Sequence, residues 1–431
     1  MIDNKKELLE YIGNNMNFCE YLPVKSQSVP VSGKVIDKHE ILNIIESAFD
    51  GHFTTGRFNK QFEKGLSKIL NAKYVLTTNS GSSSNLIAFS TLKSHLLKDR
   101  ALKDGDEVIS VAAGFPTTVN PIIQLGCVPV FIDVEMSTYN INTDLIESAI
   151  TNKTKAIFLA HTLGNPFNLR KIREVCDKYN LWLIEDCCDA LGSKFDNKSV
   201  GTFGDIGTLS FYPAHHITTG EGGAVFTNNP TLKKIMESIR DWGRDCWCAS
   251  GQDNTCGARF NQQHGKLPFG YDHKYVYSHL GYNLKMTDMQ AAIGLAQLDK
   301  FENFTQRRKH NFNLLKEKFK ESGLDRYFIL PEATTNSEPS WFGFPLTIKE
   351  GVKFNKTEFT IYLTQNGIGS RMLFAGNITK QPYMQYYKYR IYGDLKNTDI
   401  IMNNTFWIGC YQGIDDQMIE YVVDVFKKFV E

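Results

Sequence analysis

Apolar positions along the chain switch repeatedly between two spacings. Phe58 to Leu70 carries them at helical intervals, Tyr74-Val75-Leu76-Thr77-Thr78 is a short buried-type run, and Ser80 to Leu97 returns to helical spacing through Leu86, Phe89, Leu92, Leu96 and Leu97. The first kind of segment predicts an amphipathic helix and the second a buried strand. Further strands are predicted at 107–111, 128–134, 155–160 and 181–186, with a helix over 168–179 between the last two. Alternation of this kind implies an α/β fold, a mostly parallel sheet with helices on both faces, whose ligand site lies beyond the carboxyl ends of the strands.

Thr287-Asp288 opens a long helix reaching about Lys320, with Met289, Ile293, Ala296 and Leu298 on one stripe. The expected organisation is an N-terminal arm over 1–35, a large domain over 36–299 and a smaller C-terminal α/β domain over 300–431. Within the large domain, residues 244–275 are rich in Gly, Asn, Gln, His and Cys and show no periodicity. A structureless segment of that length in a compact domain usually carries function.

Composition narrows the classes. Lys and Arg number 48 against 47 Asp and Glu, a net charge of +1, which offers no field for nucleic acid or an anionic membrane. No apolar run approaches the roughly 18–20 residues of a membrane helix. The charged N-terminus leads into no signal-type apolar core, so the cytosol is the expected compartment. Nine scattered cysteines, an odd number, argue against a disulfide framework. Cys19, Cys127, Cys176 and Cys410 read as small buried apolar residues, and Cys187 should point away from its neighbour at a strand end.

Several short segments carry candidate chemistry. Asn79-Ser80-Gly81-Ser82-Ser83-Ser84 joins a strand to a helix, where backbone N–H groups suit a phosphate, although a plain helix cap has the same composition. Gly114-Phe115-Pro116-Thr117 places an aromatic ring after a strand, available for stacking or for packing. Leu181-Trp182-Leu183-Ile184-Glu185-Asp186 ends an apolar strand with two acids. In Ser210-Phe211-Tyr212-Pro213-Ala214-His215-His216-Ile217-Thr218-Thr219-Gly220-Glu221-Gly222-Gly223, His215 can accept and return a proton near neutral pH.

That last run resembles the lysine segment of the sugar-nucleotide branch of the pyridoxal-phosphate aminotransferases, the DegT/DnrJ/EryC1/StrS family. The resemblance extends over roughly residues 40–430 and includes Gly281-Tyr282-Asn283. It implies the fold-type I pyridoxal-phosphate fold, with phosphate contacts from Gly81, Ser82 and Ser210, ring stacking by Phe115, and Asp186 on the pyridine nitrogen. Asn283 would reach the phosphate of a neighbouring subunit, which implies a homodimer. Thr54-Thr55-Gly56-Arg57 and Gly369 to Asn377 look like contacts to a nucleotide sugar. Two positions depart from the aminotransferase pattern. Asp189, a cofactor-binding position near the ring's phenolate, stands where relatives usually have Gln, and His215 replaces the lysine that holds the cofactor as an imine. An imidazole cannot form that bond, so the resemblance implies non-covalent pyridoxamine 5'-phosphate with His215 as base.

Cys188, Cys246, Cys248 and Cys256 have intervening gaps of 57, one and seven residues. On residues alone, zinc, an iron–sulfur cluster and no metal all remain open. The spacing is similar to that of the iron–sulfur branch of the family, the 3-dehydratases of 3,6-dideoxysugar synthesis. This implies a [2Fe–2S] cluster, a CDP-4-keto-6-deoxyglucose substrate and an NADH-dependent flavin/iron–sulfur reductase as partner. Rival readings are a cluster-free GDP-sugar 3-dehydratase, a sugar aminotransferase, and a non-catalytic zinc-binding protein on the same scaffold. The four cysteines weigh against the first, His215 against the second, and Asp186 with Ser210 against the third.

Overall fold

A computed structural model of the chain describes residues 4–16, 28–248 and 251–431, so Cys19 lies outside the described residues. Among the described residues, an eight-stranded sheet runs in the spatial order Tyr74–Thr78, Gly223–Thr227, Ile206–Ser210, Trp182–Asp186, Thr154–Ala160, Glu107–Val111, Val128–Ile132 and Arg390–Ile391. From Ile206–Ser210 onward every pairing is parallel, and Gly223–Thr227 runs antiparallel to both its neighbours. The central strands read as continuous apolar runs because helices cover both faces. Alternate residues accordingly enter opposite cores: Ile109, Ile157 and Leu183 on one face, Val108, Phe158 and Ile184 on the other.

A four-stranded antiparallel sheet of Phe328–Ile329, Gly343–Ile348, Thr405–Gly409 and Ser370–Met372 forms a second layer around Phe344, Phe406 and Phe426. The long helix is Asp288–Glu321, opened by a capping box between Thr287 and Gln290. Arg390–Ile391 returns from the C-terminal region to pair with Val130 and Phe131, and the Arg390 guanidinium grips Glu107 at 2.9 and 2.8 Å. No helix among the described residues is long and apolar enough to cross a membrane.

The predicted helix over 80–97 ends early. It spans Gly81–Thr91, and a separate 3-10 turn follows at His95–Arg100. Ser94 causes the break, because its hydroxyl accepts from Leu96 N–H and restarts the chain, leaving Leu96 exposed. The strands Ile206–Ser210 and Gly223–Thr227 were not anticipated; each is five residues long and adjoins glycine-rich turns that blur its pattern. Among the described residues of 244–275 there is little regular structure, as expected, with a short 3-10 turn at His273–Tyr275.

One buried carboxylate joins two helices. Asp288 accepts from the N–H groups of Gly56 at 2.9 Å, Asn59 at 2.8 Å and Phe58 at 3.3 Å. Helix Arg57–Leu70 has no side-chain cap of its own, so Asp288 supplies one from the start of the long helix. Asp288→Ala leaves three N–H donors unpaired, two of them buried, and should destabilise the protein by about 2–3 kcal/mol. Thermal unfolding of Asp288→Ala and Asp288→Asn checks this; the asparagine variant retains an acceptor and should lose less.

Candidate active site

The carboxyl ends of the parallel strands bring the candidate residues together. Asp186 ends the strand Trp182–Asp186 and is 4% exposed. Its Oδ2 accepts from Asn85 Nδ2 at 2.8 Å and Thr118 Oγ1 at 2.7 Å, and its Oδ1 from the Cys188 N–H at 3.1 Å. Thr208 Oγ1 donates to Asn85 Oδ1 at 2.6 Å, which fixes the amide orientation. Asn85 and Thr118 were missed in the sequence. The available signal was a polar side chain on the inner face of each helix that follows a candidate turn.

Ser210 ends the neighbouring strand and lies against the start of helix Gly81–Thr91. A Cβ at Gly81 would meet Ser210 Oγ at 2.8 Å, so glycine is what lets the two segments close. The first N–H groups of that helix have no partner within the helix. Together with the Ser210 hydroxyl beside them, they are the groups that could hold an anion here. Ser82 is exposed in the first helical turn, and Phe115 is exposed at the N-cap of helix Pro116–Gln124, edge-on to Phe374 at 6.2 Å. Asn283 is exposed on a bridge to Asp241.

His215 lies in the turn after Ser210, where its N–H donates to Tyr212 O at 2.9 Å. Its Nδ1 is 3.3 Å from Asp189 Oδ1, out of line for a formed hydrogen bond, and its ring packs 5.2 Å from the Phe342 ring. Burial pushes the Asp189 carboxyl up, while the facing imidazole draws it down. His216 does different work. Its Nε2–H donates to Ser340 O at 2.7 Å, and burial drives its pKa well below the ordinary value, so it stays neutral. The Ser340 segment reaches this region because Gly164, at φ +90, takes no side chain against Ser340 O and Asp189 O.

The cysteines divide into two groups. Cys127, Cys176 and Cys410 are buried, as expected, and Cys187 is buried with its sulfur turned to Glu185 O at 3.6 Å. Cys246, Cys248 and Cys256 line one small cavity with Asn254, Arg259, His273 and Lys274. Cys248 N–H points at Cys246 Sγ at 3.5 Å, Thr255 N–H at Cys248 Sγ at 3.4 Å, and His273 Nδ1 lies 3.6 Å from Cys256 Sγ. Three thiols ringed by N–H groups suit a thiophilic metal or cluster. Cys188 does not line this cavity; it sits two residues beyond Asp186.

The environments set a reactivity order. The Thr255 contact draws Cys248 below the ordinary thiol range, whereas burial pushes Cys127 up to about 11 and Cys176 and Cys410 to about 12. After chelation at pH 8, iodoacetamide should label Cys248 first and spare Cys127, Cys176, Cys187 and Cys410. Peptide mass mapping over time reads that order.

Comparisons with known proteins bear on the fold and the family. The chain is 61% identical over 401 residues to the lipopolysaccharide biosynthesis protein RfbH of Salmonella typhimurium, covering 93% of this chain and 91% of that protein. It is 49% identical over 405 residues to a dTDP-4-dehydro-2,6-dideoxy-D-glucose 3-dehydratase of Saccharopolyspora spinosa, covering 94% and 87%. The solved E. coli GDP-4-keto-6-deoxy-D-mannose-3-dehydratase with bound hydrated PLP superposes with TM-score 0.82 at 29% identity, covering 94% of this chain and 99% of that one. The fold is therefore the fold-type I architecture of the sugar-nucleotide dehydratases and aminotransferases. With the DegT/DnrJ/EryC1/StrS aminotransferase profile matching residues 34–427, the chain belongs to that family.

Proposed function

We propose that the chain is a pyridoxamine-phosphate-dependent 3-dehydratase that removes the C-3 hydroxyl of CDP-4-keto-6-deoxyglucose. In this reading a [2Fe–2S] cluster takes electrons from an NADH-dependent flavin/iron–sulfur reductase, and the working unit is a homodimer. The observation that carries the proposal is His215: the turn beyond Ser210 presents Asp189 with an imidazole rather than an amine. The relatives named 3-dehydratases support it, at 49% and 33% identity. The hydrated PLP of the solved relative is a cofactor aldehyde held as its water adduct rather than as an imine. The dTDP-sugar relative also favours a second nucleotide, and competition between CDP and dTDP sugars separates the two.

Pyridoxamine phosphate would supply an amine for the sugar ketone and a ring that takes up charge. The Gly81, Ser82 and Ser210 cradle would hold its phosphate, with Asn283 contributed across a shared site. Phe115 would lie against the ring. Asp186, already oriented by Asn85 and Thr118, would hold the protonated pyridine nitrogen. His215 would act as the base of the site, accepting a proton and returning it to the departing hydroxyl. Asp189, 3.3 Å away, steadies the imidazolium so formed. A cluster held by Cys188, Cys246, Cys248 and Cys256 would supply electrons singly. Cys188, whose N–H donates to Asp186, lies outside the cavity that the other three thiols line, so it would have to meet them as the fourth ligand.

His215→Asn should lower turnover about 100- to 10,000-fold while leaving pyridoxamine phosphate bound. His215→Lys should instead take up pyridoxal phosphate covalently; absence of uptake shows that position 215 does not face the cofactor. Asn85→Ala should weaken cofactor binding about tenfold through loss of a hydrogen bond to a charged group, read by equilibrium dialysis. Protein purified anaerobically should show red-brown absorption that bleaches with dithionite. Colourless protein after iron and sulfide reconstitution would remove the cluster and leave the cluster-free dehydratase.

A further inference from the structure

The largest fully buried side chain among the described residues is a charged one, Arg308 of the long helix, at 0% exposure. Among the described residues no carboxylate lies within salt-bridge distance of it. Carbonyls hold it instead. Nη1 donates to Trp341 O at 3.1 Å and Phe342 O at 3.4 Å, Nη2 donates to His215 O at 3.3 Å, and Nε has no partner. Asp189 acts on it only through space, and a buried guanidinium with no carboxylate in contact is a costly device. Burial draws its pKa down to about 10, which leaves it charged at neutral pH.

The three carbonyls belong to only two segments: the turn that carries His215, and Trp341–Phe342 at the entry to the small sheet. The Phe342 ring lies 5.2 Å from the His215 ring, and 5.3 Å from the Trp407 ring. Trp407 Nε1 donates to Met372 O at 3.1 Å, on the strand Ser370–Met372 that carries Arg371. A continuous line of contacts therefore runs from the imidazole to the strand read as a nucleotide-sugar contact. Arg308 anchors the end of that line at the imidazole.

We propose that Arg308 is a positioning residue for His215: its forked donors lock the His215 carbonyl to the Trp341–Phe342 backbone and so hold the imidazole between Asp189 and the Phe342 ring. The inference rests on His215 being the base that faces the cofactor. A planar fork suits this task and an ammonium does not, because two backbone segments must be held at once in fixed directions.

The test reads placement of side chain 215 without turnover. In a His215→Lys background, capture of pyridoxal phosphate is trapped with borohydride and counted by intact mass. Adding Arg308→Lys, which keeps the charge and loses the fork, should slow capture roughly tenfold, with thermal midpoint nearly unchanged. Arg308→Met should slow it further; if that variant does not fold, the lysine variant decides alone. With His215 native, Arg308→Lys should lower kcat by a similar factor with KM for the sugar nucleotide within about twofold. Capture at the rate of His215→Lys alone, or loss only in proportion to the unfolded fraction by circular dichroism, would show Arg308 to be packing and overturn the inference. No capture by His215→Lys alone overturns the underlying reading of position 215, and the inference falls with it.

Discussion

A carboxylate at the end of a buried strand has to be satisfied by the protein around it, and Asp186 sets that requirement here. Water cannot serve it at 4% exposure. Asn85 and Thr118 therefore come in from two different helices, and Thr208 on the adjacent strand fixes Asn85 in turn. This network ties the two helix-opening turns, at Gly81 and Phe115, to the same strand end. One hydrogen-bonding obligation thus brings two helix starts to the end of one strand.

The adjacent histidines show how location assigns chemistry to identical side chains. His216 is enclosed, neutral and bonded to a backbone carbonyl, so it holds the turn to Ser340. His215 has a carboxylate beside it and an aromatic plate behind it, so the position of its imidazole is kept. The neighbouring cation, Arg308, hydrogen-bonds to backbone carbonyls. Side chains and main chain of one short turn are thus restrained by separate partners.

The cysteine-bearing segment is held by polar contacts rather than by a core. Arg259 forks onto Asp272 at 2.9 and 2.8 Å, and His273 bridges Asp245 at 2.7 Å and Cys256. Trp247, Phe260, Phe269, Tyr271, Tyr275 and Tyr277 all remain exposed along it. A segment of this kind gathers thiols without burying apolar surface, which explains why its sequence shows no periodicity.

Much of this was readable in the chain. Local pattern determined the alternation of helices and strands, the start of the long helix at Thr287, and the approximate limits of most sheet strands, because period and capping residues act over a few neighbours. Resemblance across ordered motifs determined the family and picked out Asp186, Ser210 and His215. Tertiary structure alone decided the rest. The Gly81–Ser210 closure, the Asn85 and Thr118 hold on Asp186, the Asp288 cap and the Arg308 strap each join residues from about 30 to more than 230 positions apart. The return of Arg390–Ile391 to the large sheet was equally hidden, since a two-residue strand has no period. Contacts of that reach depend on how whole layers pack, and no local periodicity records them.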